Sequence, residues 1–441
     1  GRDITGGVST GDADAVIATD GYRYALNLGY GANPPAQPSN PTVMVYRSAD
    51  GQAWQGPASF PVPHGLDQPD RPWLVVPPQR PGSVYLFNSE TGGDIVAWHS
   101  TDHAATFAGP VLVTGGANSQ AAVALGSRPL VDPADDSRLY MFYATATASG
   151  LRAPDPSSYR PYEFPLSQLW LAGSTDAGRT WTNRMVLDVS RDFGTPGQSG
   201  SIAHLLPAAA VDHAGNLYVV LSVRTDPSPQ THLFVLHSTD RGSTWTRPSR
   251  VDAGSGSNVM PAVAAGPDGA LFVSWYGSPA ADFRDPAASW TEMFAQGANP
   301  LAAVPAFASG PVGGPNPVHL GGIDTAGAVG SDVGANWGLR DFQGITVDSC
   351  GRPHLAWAVD HGGNRTVTAT TTAECTFSPS RVPTTDAGLP PTGRGPSGGP
   401  VALVPVALAA LLLVLVRIAM GGPSLAPKRL RENVRRVSGT R

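Results

Sequence analysis

The chain has 441 residues, of which 52 are Gly, 43 are Pro and 14% are charged. This Gly and Pro content indicates many turns but stays below the level typical of disorder, and 41% hydrophobic residues suffice for a core. From Arg417 onward there are seven basic residues and one acid, which leaves a net charge of −11 in the preceding part. A body this acidic argues against binding to nucleic acid.

Six segments of the chain share one strand–turn–strand pattern. Each has a short apolar strand, a turn containing Asp, Gly or Asn, and a second strand rich in Val, Tyr, Phe and Trp. A third strand follows in several copies, such as residues 231–238, and runs into a Ser-x-Asp turn. The six segments are residues 15–28, 71–88, 128–143, 206–222, 260–275 and 342–357. A repeat of this length predicts a stack of identical sheet units.

The turn after the third strand is itself a repeated motif, Ser-Thr-Asp-x-Gly-x-Thr-Trp. Asp and Ser side chains can hold such a turn through its amides, Gly takes a backbone angle that other residues resist, and Trp fills a gap between sheets. Two copies are complete: Ser174, Asp176, Gly178 and Trp181, and Ser238, Asp240, Gly242 and Trp245. The copy at 99–107 has Ala104 and Phe107 instead of Gly and Trp, and the copy at 47–54 is one residue shorter.

These residues resemble the Asp box, or BNR repeat, of sialidases and related propellers. The resemblance implies that the box residues are structural and lie away from the active site. Units that cannot bury their apolar faces alone should stack, and radial closure removes free sheet edges. We therefore expect an all-β, six-bladed β-propeller over residues 1–382, followed by a single C-terminal transmembrane helix.

The sialidase resemblance also defines what an active site would need. Three arginines would bind the carboxylate of the sugar, because a guanidinium suits a planar anion. Arg71, Arg128 and Arg340 lie at or near the starts of inner strands, and Arg224 ends a second strand. The alternative is that they form ordinary rim salt bridges with acids such as Asp70 and Asp341.

The nucleophile of that family is harder to find. A sialidase uses a Tyr activated by Glu, with an Asp as acid or base, and its Tyr comes from the last blade. Here no Tyr follows Tyr276, and no Arg-Ile-Pro motif occurs. Tyr276, Glu292 and Asp70 remain as catalytic candidates, although Tyr276 follows a strand with the pattern of a buried core.

Two cysteines flank the last strand pair. Cys350 and Cys375 would lie opposite each other in an antiparallel hairpin, so the spacing predicts a disulfide rather than free thiols. The acids Asp132, Asp135 and Asp136 could ligate Ca²⁺, but their spacing is more typical of a solvated turn. We expect no cofactor and no metal site.

The C-terminal part has the pattern of a membrane or cell-wall anchor. A Pro-, Gly- and Thr-rich stalk at 383–399 contains Leu389-Pro390-Pro391-Thr392-Gly393, which resembles the LPxTG sorting signal of Gram-positive surface proteins. Residues 400–420 form an apolar stretch long enough for a transmembrane helix, and the basic tail at 421–441 would stay in the cytoplasm. The LPxTG resemblance implies cleavage by sortase and linkage to peptidoglycan, and the alternative is a Pro-rich stalk with a retained membrane helix. For residues 400–420 the alternative to a transmembrane helix is a buried core helix.

Together these features predict a bacterial cell-surface protein with its propeller outside the cell. The chain begins at Gly1 without an export signal, so a processed or truncated start is expected. The favoured function is a module that binds a glycan or a surface protein at the propeller channel. The alternatives are an exo-acting glycoside hydrolase that releases terminal sugars, such as an exo-α-sialidase, and an inert display scaffold.

Overall fold

The described part of the chain is built almost entirely from antiparallel β-strands. The computed structural model describes residues 9–30, 42–60, 69–90, 94–114, 126–146, 166–193, 200–203, 207–225, 228–267, 269–323, 339, 343–360 and 365–370. Each of the six strand–turn–strand segments contains two paired strands. We number the sheet units that contain these segments from 1 to 6 in chain order.

Units 1 and 2 are two separate four-stranded sheets in which every strand pairs with its neighbour in the sequence. Unit 1 contains β1 (Ser9–Ile17), β2 (Arg23–Tyr30), β3 (Thr42–Ser48) and β4 (Gln55–Phe60), and unit 2 contains β5 (Pro69–Val75), β6 (Val84–Glu90), β7 (Ile95–Ser100) and β8 (Ala108–Leu112). The first strand of each unit, β1 or β5, carries a β-bulge.

Units 3, 4 and 5 are joined into one 14-stranded sheet. Unit 3 contains β9 (Leu130–Asp132), β10 (Asp135–Ala146), β11 (Leu166–Ser174), β12 (Thr182–Asp188) and the short helix α1 (Val189–Asp192). Unit 4 contains β13 (Gly200–Ile202), β14 (Ala208–Val211), β15 (Leu217–Thr225), β16 (Thr231–Ser238) and β17 (Ser249–Arg250). Unit 5 contains β18 (Ser257–Ala265), β19 (Leu271–Ser278), β20 (Ser289–Gly297), β21 (Phe307–Pro311) and β22 (His319–Leu320).

Single residue pairs make the connections between these three units. Leu166 of β11 pairs with Ile202 of β13, and Thr231 of β16 pairs in parallel with Ser257 of β18. Unit 6 is a separate three-stranded sheet made of β23 (Gly344–Val347), β24 (Pro353–Val359) and β25 (Arg365–Thr370).

The core lies between consecutive units rather than inside any one of them. Five hydrophobic clusters each combine residues of two units that follow one another, from units 1 and 2 through units 5 and 6. Strand β19 shows why: Val273 and Trp275 pack towards unit 4, whereas Tyr276 packs towards unit 6. A strand covered on both faces is buried at every position, as β19 is, and each large apolar side chain buried this way contributes about 2 kcal/mol.

The prediction of a closed six-bladed propeller that ends in a transmembrane helix is wrong. The described strands form three small sheets and one 14-stranded sheet, and none of these sheets closes on itself. The repeat in the sequence specifies the pairing within a unit, but the links between sheet edges are made by a few backbone groups that leave no pattern in the sequence. The strands are therefore grouped into sheets differently from the one sheet per blade that was expected.

Among the residues that the structure describes, no helix has both the length and the apolar character needed to span a membrane. The predicted span at 400–420, the stalk at 383–399 with its LPPTG motif, and the tail at 421–441 all lie outside the described residues.

Candidate functional site

The box turns are held by short-range hydrogen bonds. In unit 4, Ser238 Oγ accepts from the amide of Gly242 at 2.8 Å and donates to Asp240 Oδ1 at 2.7 Å. Asp240 also accepts from the amide and the hydroxyl of Thr244, at 2.8 and 2.7 Å. These bonds, led by that from the Thr244 hydroxyl, lower the pKa of Asp240 to about 2.

The box at residues 174–181 has the same bonds. Ser174 Oγ accepts from the Gly178 amide at 2.9 Å, and Asp176 accepts from the amide and hydroxyl of Thr180 at 2.9 and 2.6 Å. The pKa of Asp176 is lowered to about 2, first by its bond from the Thr180 hydroxyl. The box carboxylates thus bind their own turns.

The box turns also dock on the preceding unit, where each Trp fills a gap between sheets as its place in the motif predicts. Trp245 packs edge-on against Phe142 of unit 3 at 5.6 Å between ring centroids, and Trp181 packs in the same way against Phe87 of unit 2 at 5.7 Å. Arg241, which stands between Asp240 and Gly242 in the unit 4 box, places Nε 3.0 Å from Oδ2 of the fully buried Asp132 in unit 3.

The acidic cluster of unit 3 binds groups of the protein itself. Asp135 accepts from Arg138 Nε at 3.0 Å, and Asp136 accepts from the amide of Gln79 in unit 2 at 2.7 Å. No group of three or more metal-binding side chains with suitable geometry occurs within the described ranges.

Arg71 lies in a strained and buried position on the first strand of unit 2. The register of β5 against β6 shifts between Asp70 and Trp73, and Arg71 in this bulge has a φ of 51°. Its side chain is 6% exposed, and its Nε lies 3.4 Å from Oδ2 of Asp12 in unit 1. Bulges and positive φ angles at non-glycine residues cluster at functional sites, where they aim a side chain.

Arg128 lies at the start of unit 3 and is held by the same strand of unit 1. Its Nη2 lies 2.9 Å from Oδ1 and 3.1 Å from Oδ2 of Asp14, and its Cζ lies 5.5 Å from the ring centroid of Trp73. The Asp14 side chain is 4% exposed, whereas 46% of the Arg128 side chain is exposed. The guanidinium is thus fixed on one side and open to solvent on the other.

Two of the four predicted arginines, Arg71 and Arg128, therefore pair with acids that lie two residues apart on β1. Their acidic partners, Asp12 and Asp14, differ from the predicted Asp70 and Asp341: the Asp70 side chain and the whole of Asp341 lie outside the described residues, as does Arg340. We call Asp12, Asp14, Arg71, Trp73 and Arg128 the arginine cluster. No signal in the sequence pointed to the two acids, because they lie just before the first copy of the repeat at residues 15–28.

Arg224 lies in another part of the molecule. It is the penultimate residue of β15, opposite Ser201 and Thr231. The pKa of Asp282 in unit 5 is lowered chiefly by its bond from Arg284, and the positive charge of Arg224 lowers it further. Arg224 of unit 4 therefore lies near enough to Asp282 of unit 5 for their charges to interact.

The predicted Tyr–Glu pair is buried between units 5 and 6. Tyr276 and Glu292 are directly opposite residues of β19 and β20, and both are 0% exposed. The Tyr276 hydroxyl accepts from the amide of Ala358 in unit 6 at 3.1 Å. Burial first, and the charge of Glu292 second, raise the pKa of Tyr276 well above its ordinary value.

Glu292 is buried with little polar support. Burial raises the pKa of its carboxyl well above the ordinary 4.5, and the nearby hydroxyl of Ser274 opposes this rise. Neither carboxyl oxygen has a hydrogen-bond partner of normal geometry among the described residues. A tyrosine and a carboxyl that are both fully buried cannot reach a sugar in solvent, so this pair does not supply an activated nucleophile at the surface.

The predicted disulfide cannot be placed. Cys350 lies in the turn before β24, but its expected disulfide partner Cys375 lies outside the described residues, so the pairing stays a prediction.

Comparison with known proteins gives weak likenesses only. No family model matches the chain, and no curated protein is similar to it. A protein of unknown function from Dyadobacter fermentans is 11% identical over 82% of this chain and 94% of its own, with a TM-score of 0.48. The GH93 α-L-arabinofuranosidase of Fusarium graminearum in complex with arabinobiose is 13% identical over 82% and 92%, also with a TM-score of 0.48.

A third similar structure is the leech intramolecular trans-sialidase in complex with 2,7-anhydro-Neu5Ac. It is 10% identical over 84% of this chain and 69% of its own, with a TM-score of 0.48. The similar structures thus include a sialidase and an arabinofuranosidase. At these identities and TM-scores they assign neither a family nor an activity to this chain.

Proposed function

We propose that this protein is a glycan-recognition module whose ligand binds at the arginine cluster. The observation that supports this proposal is the exposed face of Arg128, which is held by a buried carboxylate and packs over an aromatic ring. The Trp73 ring supports one face of this guanidinium, and a guanidinium donates paired hydrogen bonds to hydroxyl or carboxylate oxygens of a sugar.

Recognition without turnover is the favoured mechanism. The one Tyr–Glu pair predicted from the sequence is buried in the core between units 5 and 6. Among the residues that the structure describes, that core contains none from units 1 to 3. The residues that bind the ligand and the residues considered for catalysis therefore belong to different unit interfaces.

The test uses the full chain, a glycan panel and a fluorogenic sialoside. We expect binding to one glycan class and no release of fluorophore. Removing a charged hydrogen-bonding group from a binding site costs about 1.5–3 kcal/mol, so Arg128→Ala should weaken the binding by tenfold or more. Trp73→Ala should weaken it as well.

Arg284→Ala is the matched control. Arg284 is 45% exposed, pairs with Asp282 at 3.0 Å and lies 5.5 Å from the ring centroid of Phe283, so it matches Arg128 in exposure and in its aromatic neighbour. This variant should bind as tightly as the parent protein. Equal losses in the two variants would contradict the proposed site, and sialoside turnover that disappears in Arg71→Ala would replace recognition by hydrolysis.

A further inference from the structure

Asp14 of unit 1 contacts residues of both unit 2 and unit 3. Its Oδ1 accepts from its neighbour's amide, Ala15 N, at 2.8 Å, and its Oδ2 accepts from the amide of Leu74 in unit 2 at 2.9 Å. Both oxygens also contact Nη2 of Arg128, at the start of unit 3, at 2.9 and 3.1 Å. A single buried carboxylate thus connects β1, β5 and the entry to β9.

The burial of Asp14 determines how firmly it can hold a cation. A carboxylate that is 4% exposed is poorly hydrated, so its charge must be met by hydrogen bonds and an opposite charge. Two amides and one guanidinium meet it here. An exposed arginine samples many rotamers, and an ion pair with a fixed, dehydrated carboxylate removes most of that freedom.

Arg284 shows what the same ion pair looks like without such an anchor. Its partner Asp282 is 35% exposed and lies two residues before it in the same turn, so water competes for both groups. The two arginines are alike in exposure and aromatic neighbour. Arg284 donates from both Nε and Nη2 to the partly exposed Asp282. Arg128 instead directs Nη2 alone at both oxygens of the buried Asp14, so the two differ in the burial of the acid and in the geometry of the pair.

From this geometry we infer that Asp14 is a positioning residue, which fixes the guanidinium of Arg128 for the ligand only when units 1, 2 and 3 are stacked. The inference rests on the proposed function for its biological meaning, but the placement of Arg128 is a property of the free protein. It links assembly of the first three units to formation of the recognition site, which neither the repeat pattern nor the box turns would indicate.

The first experiment needs no ligand. Phenylglyoxal modifies arginine side chains, and mass spectrometry of peptides from the full chain gives a separate rate for each arginine. In the parent protein Arg128 should react more slowly than Arg284 despite their equal exposure, because Asp14 holds it. Asp14→Asn should raise the Arg128 rate by about tenfold, the factor expected for loss of a charge-assisted hydrogen bond, and leave the Arg284 rate unchanged.

Asp12→Asn is the control on the same strand, because Asp12 pairs with Arg71 and not with Arg128. It should leave the Arg128 rate unchanged. Equal rates of Arg128 and Arg284 in the parent protein would overturn the inference even if Asp14→Asn does not fold. An unchanged Arg128 rate in a folded Asp14→Asn protein would overturn it as well.

The second experiment separates positioning from support of the fold. With a glycan identified on the panel, affinity is measured for Asp14→Asn, Arg128→Ala and the double variant. Positioning predicts that Asp14→Asn has no further effect once Arg128 is absent, whereas a purely structural role predicts additive losses. If no glycan binds, the proposed function fails while the modification rates still decide the role of Asp14.

Discussion

The buried carboxyl of Glu292 should make the stability of this protein fall as the pH rises. Its pKa in the folded protein lies well above 4.5 because burial disfavours the charged form. Above pH 4.5 the unfolded chain releases this proton while the folded protein keeps it, so the folded state binds more protons. The free energy of unfolding then decreases by about 1.4 kcal/mol per pH unit until the pH reaches the folded-state pKa.

Glu292→Gln removes this dependence, because the amide has nearly the same size and does not ionise. The contribution of Glu292 is fully present below pH 4.5 and is lost as the pH rises. As the pH rises from 5, the variant should therefore gain stability relative to the parent protein, by up to about 1.4 kcal/mol per pH unit while the folded parent keeps its proton. Denaturant unfolding curves at pH 5, 6 and 7 would measure this difference.

Asp240→Asn is the control with the opposite sign. The pKa of Asp240 is lowered to about 2 by its turn hydrogen bonds, so its carboxylate stabilises the fold above the ordinary pKa of Asp, and this stabilisation is lost as the pH falls towards 2. The asparagine variant should thus be less stable than the parent at pH 7. Parallel pH profiles for the parent protein and Glu292→Gln would refute the reasoning.

Two further predictions concern the docking of the unit 4 box on unit 3. Gly242→Ala should destabilise the protein by about 2 kcal/mol, because the residue has a φ of +85° and a Cβ there would lie 2.3 Å from Leu171 Cδ2. The control is Gly173→Ala, where a Cβ meets nothing within 4 Å. Thermal unfolding compares the two variants, and equal shifts of the midpoint would contradict the prediction. Arg241→Ala should lower the unfolding midpoint, because it leaves the buried carboxylate of Asp132 without its ion pair, and Asp132→Asn in the same background should restore part of the loss. No recovery in the double variant would show that the pair does not act through charge.

The sequence by itself determined the parts of this protein that depend on neighbours within a few positions. The strand pairs follow from alternating apolar residues and turn residues. The box turns follow from Ser, Asp and Thr side chains that bond to groups two to four residues away, such as Ser238, Asp240 and Thr244. Such contacts form wherever the local pattern occurs, and so they can be predicted from it.

Only the tertiary structure decided the composition of the candidate site. The guanidinium of Arg128 bonds to Asp14, which lies 114 positions away in the sequence, and the amide of Leu74 bonds to the same carboxylate across 60 positions. Stacking also buried Tyr276 and Glu292, which the sequence had left open as catalytic candidates. Contacts of this range depend on which faces of which units meet, and that choice is made by the summed burial of apolar side chains between units rather than by any residue pattern within one of them.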